Sequence, residues 1–388
     1  MVISQESLSG VSKYQLGIIS ERTGITPETL GIDADVAPSS VYTIEIEDPY
    51  VQHFSAEIYD SVKATEKEAN DFAESRRLSG YWERKPGTAY IDENNVSATK
   101  KGWGDPISRD RFFNKTLASP AINAWRSKIP SAQALADLSD PINIEFIKGK
   151  NGTDVPVDHT AKEWLSLCTD AIAIRSRATV MADIVRSYVE TSNELSENDY
   201  IWLSVACGTA LPAMQGANSA GISPRLYLAD FDNAALEATE QLAKEIGFTG
   251  NISTPAREAL GKVTINIFDD EEMERLGAYL GDNGGRPRLL DLMGIFEYTG
   301  SNLGIDSAKF LRTCYNMLHP GGKLIFGQMR SDRPVPDFVT GVVGWPYVEM
   351  RSPNDFMKII AEAGISPTAT ELYLPNDGVY TVGVISKP

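Results

Sequence analysis

The chain has 388 residues, of which 42% are apolar and 23% are charged; this composition is typical of a globular protein and excludes a wholly disordered one. It carries 36 Lys and Arg residues against 53 Asp and Glu residues, so its net charge at pH 7 is −17. Such acidity argues against binding to nucleic acid or to an anionic membrane, because both require a basic surface.

Residues 1–155 are predicted to form an α-rich region. Residues 41–47 alternate apolar and acidic side chains, which indicates a short half-exposed strand. Residues 56–78 are rich in Glu, Lys, Ala and Arg and predict a helix, and residues 130–139 predict another short one. The Gly, Asn, Asp and Pro content of residues 148–156 predicts a linker to a second domain.

The cysteines and histidines indicate neither a disulfide framework nor a metal site. The three cysteines form no CxxC pair, and the three histidines are far apart in the sequence. The first ten residues lack the apolar core of a signal peptide, and no run of about 18 apolar residues occurs. We therefore expect a soluble cytoplasmic protein without a bound metal.

A helix is predicted to begin after the linker. Thr160 and Glu163 have the spacing of a capping box, in which each side chain binds the other residue's backbone amide. Apolar side chains then recur at helical spacing to about residue 190.

From residue 200 onward, short apolar runs alternate with helical segments. The runs predict buried strands at residues 201–206, 225–229, 263–268, 288–293 and 323–327. This alternation predicts an α/β domain over residues 156–388, with a parallel sheet covered by helices. Two further strand-like runs, 366–374 and 379–386, are separated only by turn residues and predict an antiparallel pair.

The exit from the first of these strands is the strongest local signal for chemistry. Residues 204–210, SVACGTA, form a run of small residues between a strand and a helix. Ligands of open α/β sheets lie at the carboxyl ends of the strands, where small residues let a ligand approach the backbone. Asp230 ends the second strand about 20 residues after Gly208, a position suited to binding ribose hydroxyls.

Three segments together resemble the class I S-adenosylmethionine-dependent methyltransferases over about residues 160–388. SVACGTA is similar to the family's cofactor glycine loop, LADFDNAALEAT (228–239) to its second motif, and LHPGGKLIFG (318–327) to the segment leading into its fifth strand. The resemblance implies a Rossmann-like sheet of seven mostly parallel strands with an antiparallel C-terminal hairpin. It also implies S-adenosyl-L-methionine as the cofactor.

The resemblance further implies which residues contact the cofactor. After the first strand, the methionine part of the cofactor would be contacted by Ala206, Cys207, Gly208 and Thr209. After the second strand, Asp230 would bind the ribose and Phe231 would flank the adenine. Those after the next two strands would be Asp269, near the adenine amino group, and Met293 and Gly294, near the sulfonium and the acceptor.

The sequence departs from the family pattern at three positions of the glycine loop. Ser204 stands where the family usually has an acidic residue near the cofactor, so one carboxylate partner of the cofactor amino group is lost. Ala206 and Ala210 replace glycines and should make the loop less open, because alanine disfavours positive φ. We predict that Arg175, on the preceding helix, binds the methionine carboxylate and replaces part of the lost contact, although a solvated arginine would fit the same position.

Candidates for the chemistry follow the fourth strand. Glu297 and Tyr298 are predicted to bind or deprotonate the acceptor, whereas Asp291 fits a structural or a functional role equally well. Between Met329 and Arg351 lies a long connection with two arginines and three aromatic residues, which would suit a planar or anionic small molecule as well as ordinary packing. These residues are Arg330, Arg333, Phe338, Trp345 and Tyr347.

The function expected from these features is transfer of a methyl group from S-adenosylmethionine to an oxygen or nitrogen of a small-molecule acceptor. Two other functions fit the same sequence. One is transfer of the aminocarboxypropyl group of the same cofactor, and the other is a non-catalytic module that only binds it.

Overall fold

The computed structural model describes residues 13–84, 104–129, 131–149, 152–192, 200–300, 304–345 and 348–388. The strands in chain order are β1 (Ile18–Ile25), β2 (Ser40–Glu47), β3 (Phe146–Lys148), β4 (Asp154–Pro156), β5 (Ile201–Val205), β6 (Arg225–Ala229), β7 (Asn251–Ser253), β8 (Leu289–Leu292), β9 (Lys323–Met329), β10 (Thr370–Pro375) and β11 (Tyr380–Ser386). Tyr347, one of the aromatic residues of the predicted binding loop, lies outside the described residues.

The strands build one mixed sheet with the order β1-β2-β10-β11-β9-β8-β5-β6-β7. The five strands from β9 to β7 are mutually parallel, and β11 is antiparallel to both β9 and β10. The predicted α/β fold and its antiparallel hairpin are thereby confirmed. Strand β5 lies between β6 and β8, so the strands that follow it in the chain are added first on one side of it and then on the other. The strand order therefore reverses at the carboxyl end of β5.

The sheet has nine strands rather than the predicted seven, because two strands of the α-rich region join it. Strand β2 pairs in parallel with β10, and β1 pairs antiparallel with β2 at the edge. The half-exposed strand predicted at residues 41–47 is confirmed, and its apolar positions Ile44 and Ile46 are buried. The alternation of side chains indicated a strand, but it did not indicate which strand would pair with it.

The helices in chain order are α1 (Ala56–Leu78), α2 (Pro106–Asp110), α3 (Pro120–Ser127), α4 (Ala132–Ser139), α5 (His159–Leu167), α6 (Thr169–Thr191), α7 (Leu211–Ala220), α8 (Asn233–Glu245), α9 (Ala256–Leu260), α10 (Asp270–Tyr279), α11 (Ser307–Met317) and α12 (Pro353–Glu362). The helices predicted from residues 56–78 and 130–139 correspond to α1 and α4.

Helices cover both faces of the sheet. Along β5, Leu203 and Val205 pack in a cluster with α10, α11 and α12, whereas Trp202 packs in a second cluster with α6, α7 and α8. Successive side chains of a strand point to opposite faces, so β5 contributes to both clusters. This is the layered arrangement that the apolar runs predict.

The third predicted strand, residues 263–268, is wrong, and β7 takes its place beside β6. Ile265 and Ile267 are buried as the pattern requires. Two backbone amides of the segment are bound by side chains instead of a neighbouring strand: Asn266 N donates to Glu272 Oε2 at 2.8 Å, and Phe268 N donates to Asn266 Oδ1 at 3.2 Å. Local side-chain bonds of this kind compete with a β-ladder.

Two predictions around residue 155 also need correction. Helix α5 begins at His159, before the predicted start at Thr160. Its N-cap is Asp158, whose carboxylate accepts a bond from Ala161 N at 2.9 Å. The predicted capping box is therefore wrong. The two ends of the predicted linker belong to β3 and β4, which pair as a hairpin, and Ile147 of β3 is buried in a third cluster.

This third cluster contains the helices of the first half of the chain. It joins residues of α1, α3, α4 and α5 to the start of α6 and to a wide helical turn, Phe338–Val343, after β9. Together these segments face the carboxyl ends of the parallel strands across a cavity. Among the described residues, no helix combines the length and apolar character needed to cross a membrane.

Candidate functional site

The loop after β5 has an unusual backbone. Ala206, Gly208 and Ala210 have φ angles of 50°, 53° and 50°, so left-handed residues alternate with ordinary ones. Left-handed backbone costs a residue with a Cβ about 1–2 kcal/mol. The two alanines therefore adopt the backbone that glycine would favour, although the sequence led us to expect a less open loop.

Asp230 holds this loop from the neighbouring strand end. Its Oδ2 accepts a bond from Gly208 N at 2.7 Å, and its Oδ1 accepts one from Asp232 N at 2.9 Å. The side chain is buried, which raises the pKa of Asp230 to about 6. Each carboxylate oxygen can still accept a further hydrogen bond. Phe231, the predicted adenine neighbour, follows it and is half-buried.

Helix α4 packs directly against the loop. A Cβ added to Gly208 would lie 2.8 Å from the Cβ of Ala132. Since real Cβ atoms do not approach so closely, only glycine fits at this position. The α-rich region thus reaches the carboxyl end of β5, where the resemblance expects the cofactor.

Beneath the loop, a buried carboxylate connects β5 to β8. Asp291 Oδ2 accepts a bond from Trp202 Nε1 at 2.7 Å, and Oδ1 accepts one from Ser204 Oγ at 3.0 Å. Burial raises the pKa of Asp291 to about 6. Ser204 lacks the carboxylate of the family pattern, but its register partner on β8 places one beside it.

The other predicted loop residues lie at the same edge. Cys207 is half-buried and Thr209 is buried. Met293, at the end of β8, is also buried, and its sulfur lies close to Gly327 of β9. The structure therefore brings together the residues predicted after the first, second and fourth strands.

Asp269 follows a segment that passes beside the end of β6, where Ile265 N donates to the Asp230 carbonyl at 2.9 Å. It follows no strand, and its side chain caps α10 by accepting a bond from Glu272 N at 3.1 Å. The strand predicted at residues 263–268 is wrong, whereas the contact of Asp269 with the adenine stays a prediction.

Arg175 is already bonded within the protein. It is buried, with Nε donating to Asp48 Oδ2 at 2.8 Å. One Nη donates to the Leu138 carbonyl at 2.8 Å and the other to the Ser166 carbonyl at 2.6 Å. A bond to a cofactor carboxylate would have to replace one of these, so the geometry does not support the predicted role of Arg175.

Glu297 and Tyr298 line a small cavity of about 50 Å³. It lies between the third cluster and the strand ends, and Gly294 also lines it. Tyr298 accepts a bond at its hydroxyl from Trp345 Nε1 at 2.6 Å, and burial raises the pKa of that hydroxyl. The structure thus brings both predicted catalytic residues to one space beside β8.

Arg177 also lines the cavity, although the sequence indicated no role for it. Its guanidinium lies over the ring of Tyr380, 4.6 Å from the centroid, and one Nη is 4.0 Å from Glu297 Oε1. Asp170, Ile174 and Arg177 all face the cavity from α6. Their i, i+4, i+7 spacing is the signal that could have identified this face.

The arginines of the connection after β9 are paired with carboxylates of the same chain. Arg330 binds Asp332, and Arg333 binds both carboxylate oxygens of Asp170 at 2.9 and 3.1 Å. The connection still contributes to the cavity through Phe338, Val339, Val343 and Trp345. Its aromatic residues therefore match the expectation of a binding loop better than its arginines do.

A structure search provides the first comparison. The crystal structure of a possible exported protein from Bordetella parapertussis matches 88% of this chain and 99% of its own, with a TM-score of 0.51 and 14% identity. This chain shares its fold with that solved protein. No family model and no curated protein matches the sequence.

Methyltransferases are among the other matched structures. An O-methyltransferase family protein from Burkholderia thailandensis covers 59% of this chain and 60% of its own, with 15% identity and a TM-score of 0.32. Magnesium protoporphyrin IX methyltransferase from Synechocystis PCC 6803, solved with bound SAH, covers 73% and 99%, with 12% identity and a TM-score of 0.40.

Proposed function

We propose that this protein transfers a methyl group from S-adenosylmethionine to an oxygen or nitrogen of a small acceptor. The observation that carries the proposal is the adjacency of two strand ends. Strand β5 leads into the loop of Ala206–Ala210, and its neighbour β8 leads into Gly294 and Glu297 at the cavity. A cofactor at the first strand end and an acceptor at the second would lie side by side, as a transfer reaction requires.

The residues present fit the cofactor at the carboxyl edge. The left-handed backbone of Ala206–Ala210, against which α4 packs at Gly208, would take the methionine part, and Asp230 has acceptor capacity left for ribose hydroxyls. Phe231 would flank the adenine. When bound, the cofactor supplies an electrophilic methyl group, whose bond to sulfur breaks as its bond to the acceptor forms, while the acceptor releases a proton.

Glu297 is the candidate base for that proton. Burial raises its pKa, and the nearby Arg177 opposes that rise. A carboxylate with a raised pKa is a better proton acceptor. Tyr298 is held by Trp345 and would position the acceptor rather than titrate, because burial raises its pKa further from neutrality.

Calorimetric titration with S-adenosylhomocysteine tests the cofactor site. Asp230→Ala should weaken binding at least tenfold, because the loop loses the carboxylate that binds Gly208 N and would bind the ribose. Asp306→Asn, at the exposed N-cap of α11, is the matched control and should leave the affinity unchanged, since asparagine also caps helices. Equal affinity in wild type and Asp230→Ala, or no binding by the wild type, would contradict the proposal.

The by-product identifies the reaction. Incubation with S-adenosylmethionine and a panel of acceptors, followed by mass spectrometry, should yield S-adenosylhomocysteine. Methylthioadenosine would instead support aminocarboxypropyl transfer. Cofactor binding without either by-product would support a binding module.

A further inference from the structure

A second cleft is lined by α2, by the helical segment Arg111–Thr116 that continues it, and by α3. Its volume is about 230 Å³, well above the roughly 10–15 Å³ that one water requires. None of its lining residues belongs to the proposed cofactor or acceptor site. Arg126 of α3 faces it together with a stripe of residues at helical spacing: Pro106, Arg109, Asp110, Phe113 and Asn114.

Arg109 and Arg126 share this cleft without a carboxylate between them. Among the described residues, neither takes part in an ion pair or donates a hydrogen bond from its guanidinium. The Nε of Arg126 is buried, and the guanidinium lies over the ring of Phe113, 4.9 Å from its centroid. A buried donor without an acceptor is unfavourable, so a ligand that accepted from it would bind with a gain.

The other described arginines from α1 to α3 each bind a carboxylate. Arg76 binds Asp105, Arg77 and Arg84 bind Asp337, and Arg111 binds Glu68. Carboxylates are plentiful in this chain, since 53 acidic residues face 36 basic ones. Two neighbouring arginines that lack such a partner in the part of the chain that the structure describes therefore set this cleft apart.

The electrostatics of the cleft favour an anion. Burial lowers the pKa of Arg109 and of Arg126, and the charge of Arg109 lowers the pKa of Arg126 further. Asp105 opposes the change at Arg109, but Nε and one Nη of Arg76 already bind its two oxygens. Because arginine stays protonated in proteins, the two like charges persist, and an anion between them would remove their repulsion.

One carboxylate lines the cleft, but its contacts lie with other side chains. Asp110 Oδ1 accepts a bond from Asn114 Nδ2 at 2.6 Å, and Oδ2 lies 3.8 Å from Lys115 Nζ. The Asp110 side chain is 55% exposed, so water and salt screen its charge more than the charges of the half-buried arginines. The cleft keeps a net positive charge.

We propose that this cleft binds a phosphate group between Arg109 and Arg126. A phosphate group carries a charge of about −1.5 to −2 at pH 7, which matches two guanidinium groups. Each guanidinium can donate two parallel bonds to phosphate oxygens. A carboxylate has a single charge and would leave the pair half compensated. The net charge of −17 disfavours nucleic acid and membranes, so the group belongs to a small phosphorylated molecule or to free phosphate.

Calorimetry with the full chain at pH 8 and constant ionic strength tests the selectivity. Inorganic phosphate should bind at least tenfold more tightly than acetate, and equal affinities or no phosphate binding would overturn the proposal. Glycerol 3-phosphate distinguishes the two sources of the group. Tighter binding than inorganic phosphate supports an esterified phosphate as the ligand, whereas equal or weaker binding supports the free ion.

Two single variants locate the site. Arg109→Gln and Arg126→Gln should each weaken phosphate binding at least tenfold, because each removes one of the two guanidinium groups. Arg111→Gln is the matched control, since it removes the same charge from an exposed position next to the cleft, where Arg111 binds Glu68. It should change the affinity less than twofold. Equal losses in all three variants, or no loss in the first two, would overturn the proposed site.

A third variant should gain affinity, which misfolding cannot imitate. Asp110→Asn removes the negative charge from the cleft, and its side-chain oxygen can still accept the bond from Asn114. Phosphate should therefore bind at least twofold more tightly to this variant than to the wild type. Unchanged or weaker binding would contradict an anion site in this cleft, even if the arginine variants did not fold.

Discussion

Ala206 and Ala210 hold left-handed backbone in the loop after β5, where most proteins would place glycine. The surrounding bonds must maintain this conformation, since nothing intrinsic to alanine favours it. Ala206 N donates to the Ala229 carbonyl at 2.7 Å, and Ala210 N donates to the Cys207 carbonyl at 2.7 Å. The loop is therefore shaped by its neighbours as well as by its own sequence.

Ala206→Gly should raise the free energy of unfolding by about 1 kcal/mol, because glycine adopts positive φ without steric cost. Urea denaturation measures the change. Ala238→Gly, within helix α8, is the matched control and should lower stability by about 1 kcal/mol. A loss of stability in Ala206→Gly similar to that of the control would show that the loop is not strained.

Asp291 should make stability depend on pH in a predictable direction. Folding raises its pKa from 3.8 to about 6, so the folded state disfavours its ionised form and loses stability as the pH rises through 6. Asp291→Asn removes this titration. Its stability relative to the wild type should rise by on the order of 1 kcal/mol between pH 5 and pH 8. Asp60→Asn, at an exposed position of α1, should show no such trend in the same urea titrations.

At the scale of elements, β2 connects the first part of the chain to the sheet. Ile44 on β2 is 1% exposed and packs in the cluster that includes α6 and β11. Ile44→Ala should lower the free energy of unfolding by about 3 kcal/mol. We also expect one unfolding transition for the whole chain when denaturation is followed by fluorescence or by circular dichroism, although the sequence predicts a domain boundary near residue 155. Glu45→Ala, at the neighbouring exposed position, should change stability by less than about 0.5 kcal/mol.

Most elements of the second half could be predicted because buried parallel strands and amphipathic helices leave strong periodic patterns. The failure at residues 263–268 has a local cause, since Asn266 and Glu272 take up amides that a strand would offer. The sheet partner of β2 could not be predicted, because β10 lies about 330 residues later and pairing leaves no mark on either sequence alone.

The position of a candidate site residue was predictable where it follows from a strand end, as for Gly208, Asp230 and Glu297. It was not predictable where the role depends on long-range contacts. Arg175 and Arg177 lie two residues apart on α6, but only the fold shows that Arg175 binds Asp48 while Arg177 faces the cavity.

At the scale of the whole molecule, α1 holds the wide turn that lines the cavity. Asp337, just before that turn, is fully buried and accepts bonds from Arg77 Nε at 2.8 Å and Arg84 Nε at 2.8 Å. Asn70 Oδ1 accepts bonds from the amides of Asp337 and Phe338 at 2.9 and 3.0 Å. The cavity wall is therefore built by segments more than 250 residues apart.

Asp337→Ala should lower the free energy of unfolding by about 3 kcal/mol, because it leaves two arginines beside a buried site without their carboxylate. A double-mutant cycle with Arg77→Met, measured by urea denaturation, should show a coupling of more than about 1 kcal/mol. Asp332→Ala, which removes an exposed ion pair of the same connection, should change stability by less than about 1 kcal/mol. Additive effects of Asp337→Ala and Arg77→Met on the free energy of unfolding would argue against a stabilising contact between α1 and the wide turn.

The position of β2 between β1 and β10 also affects how the chain can fold during its synthesis. Until residues 370–375 leave the ribosome, β2 has only the edge strand β1 as a partner, and its other edge stays open. Contacts between residues so far apart in sequence form slowly, and an unpaired strand edge in a partly made chain favours aggregation. Completion of the sheet must therefore be a late step of folding, after residues 370–375 have been synthesised.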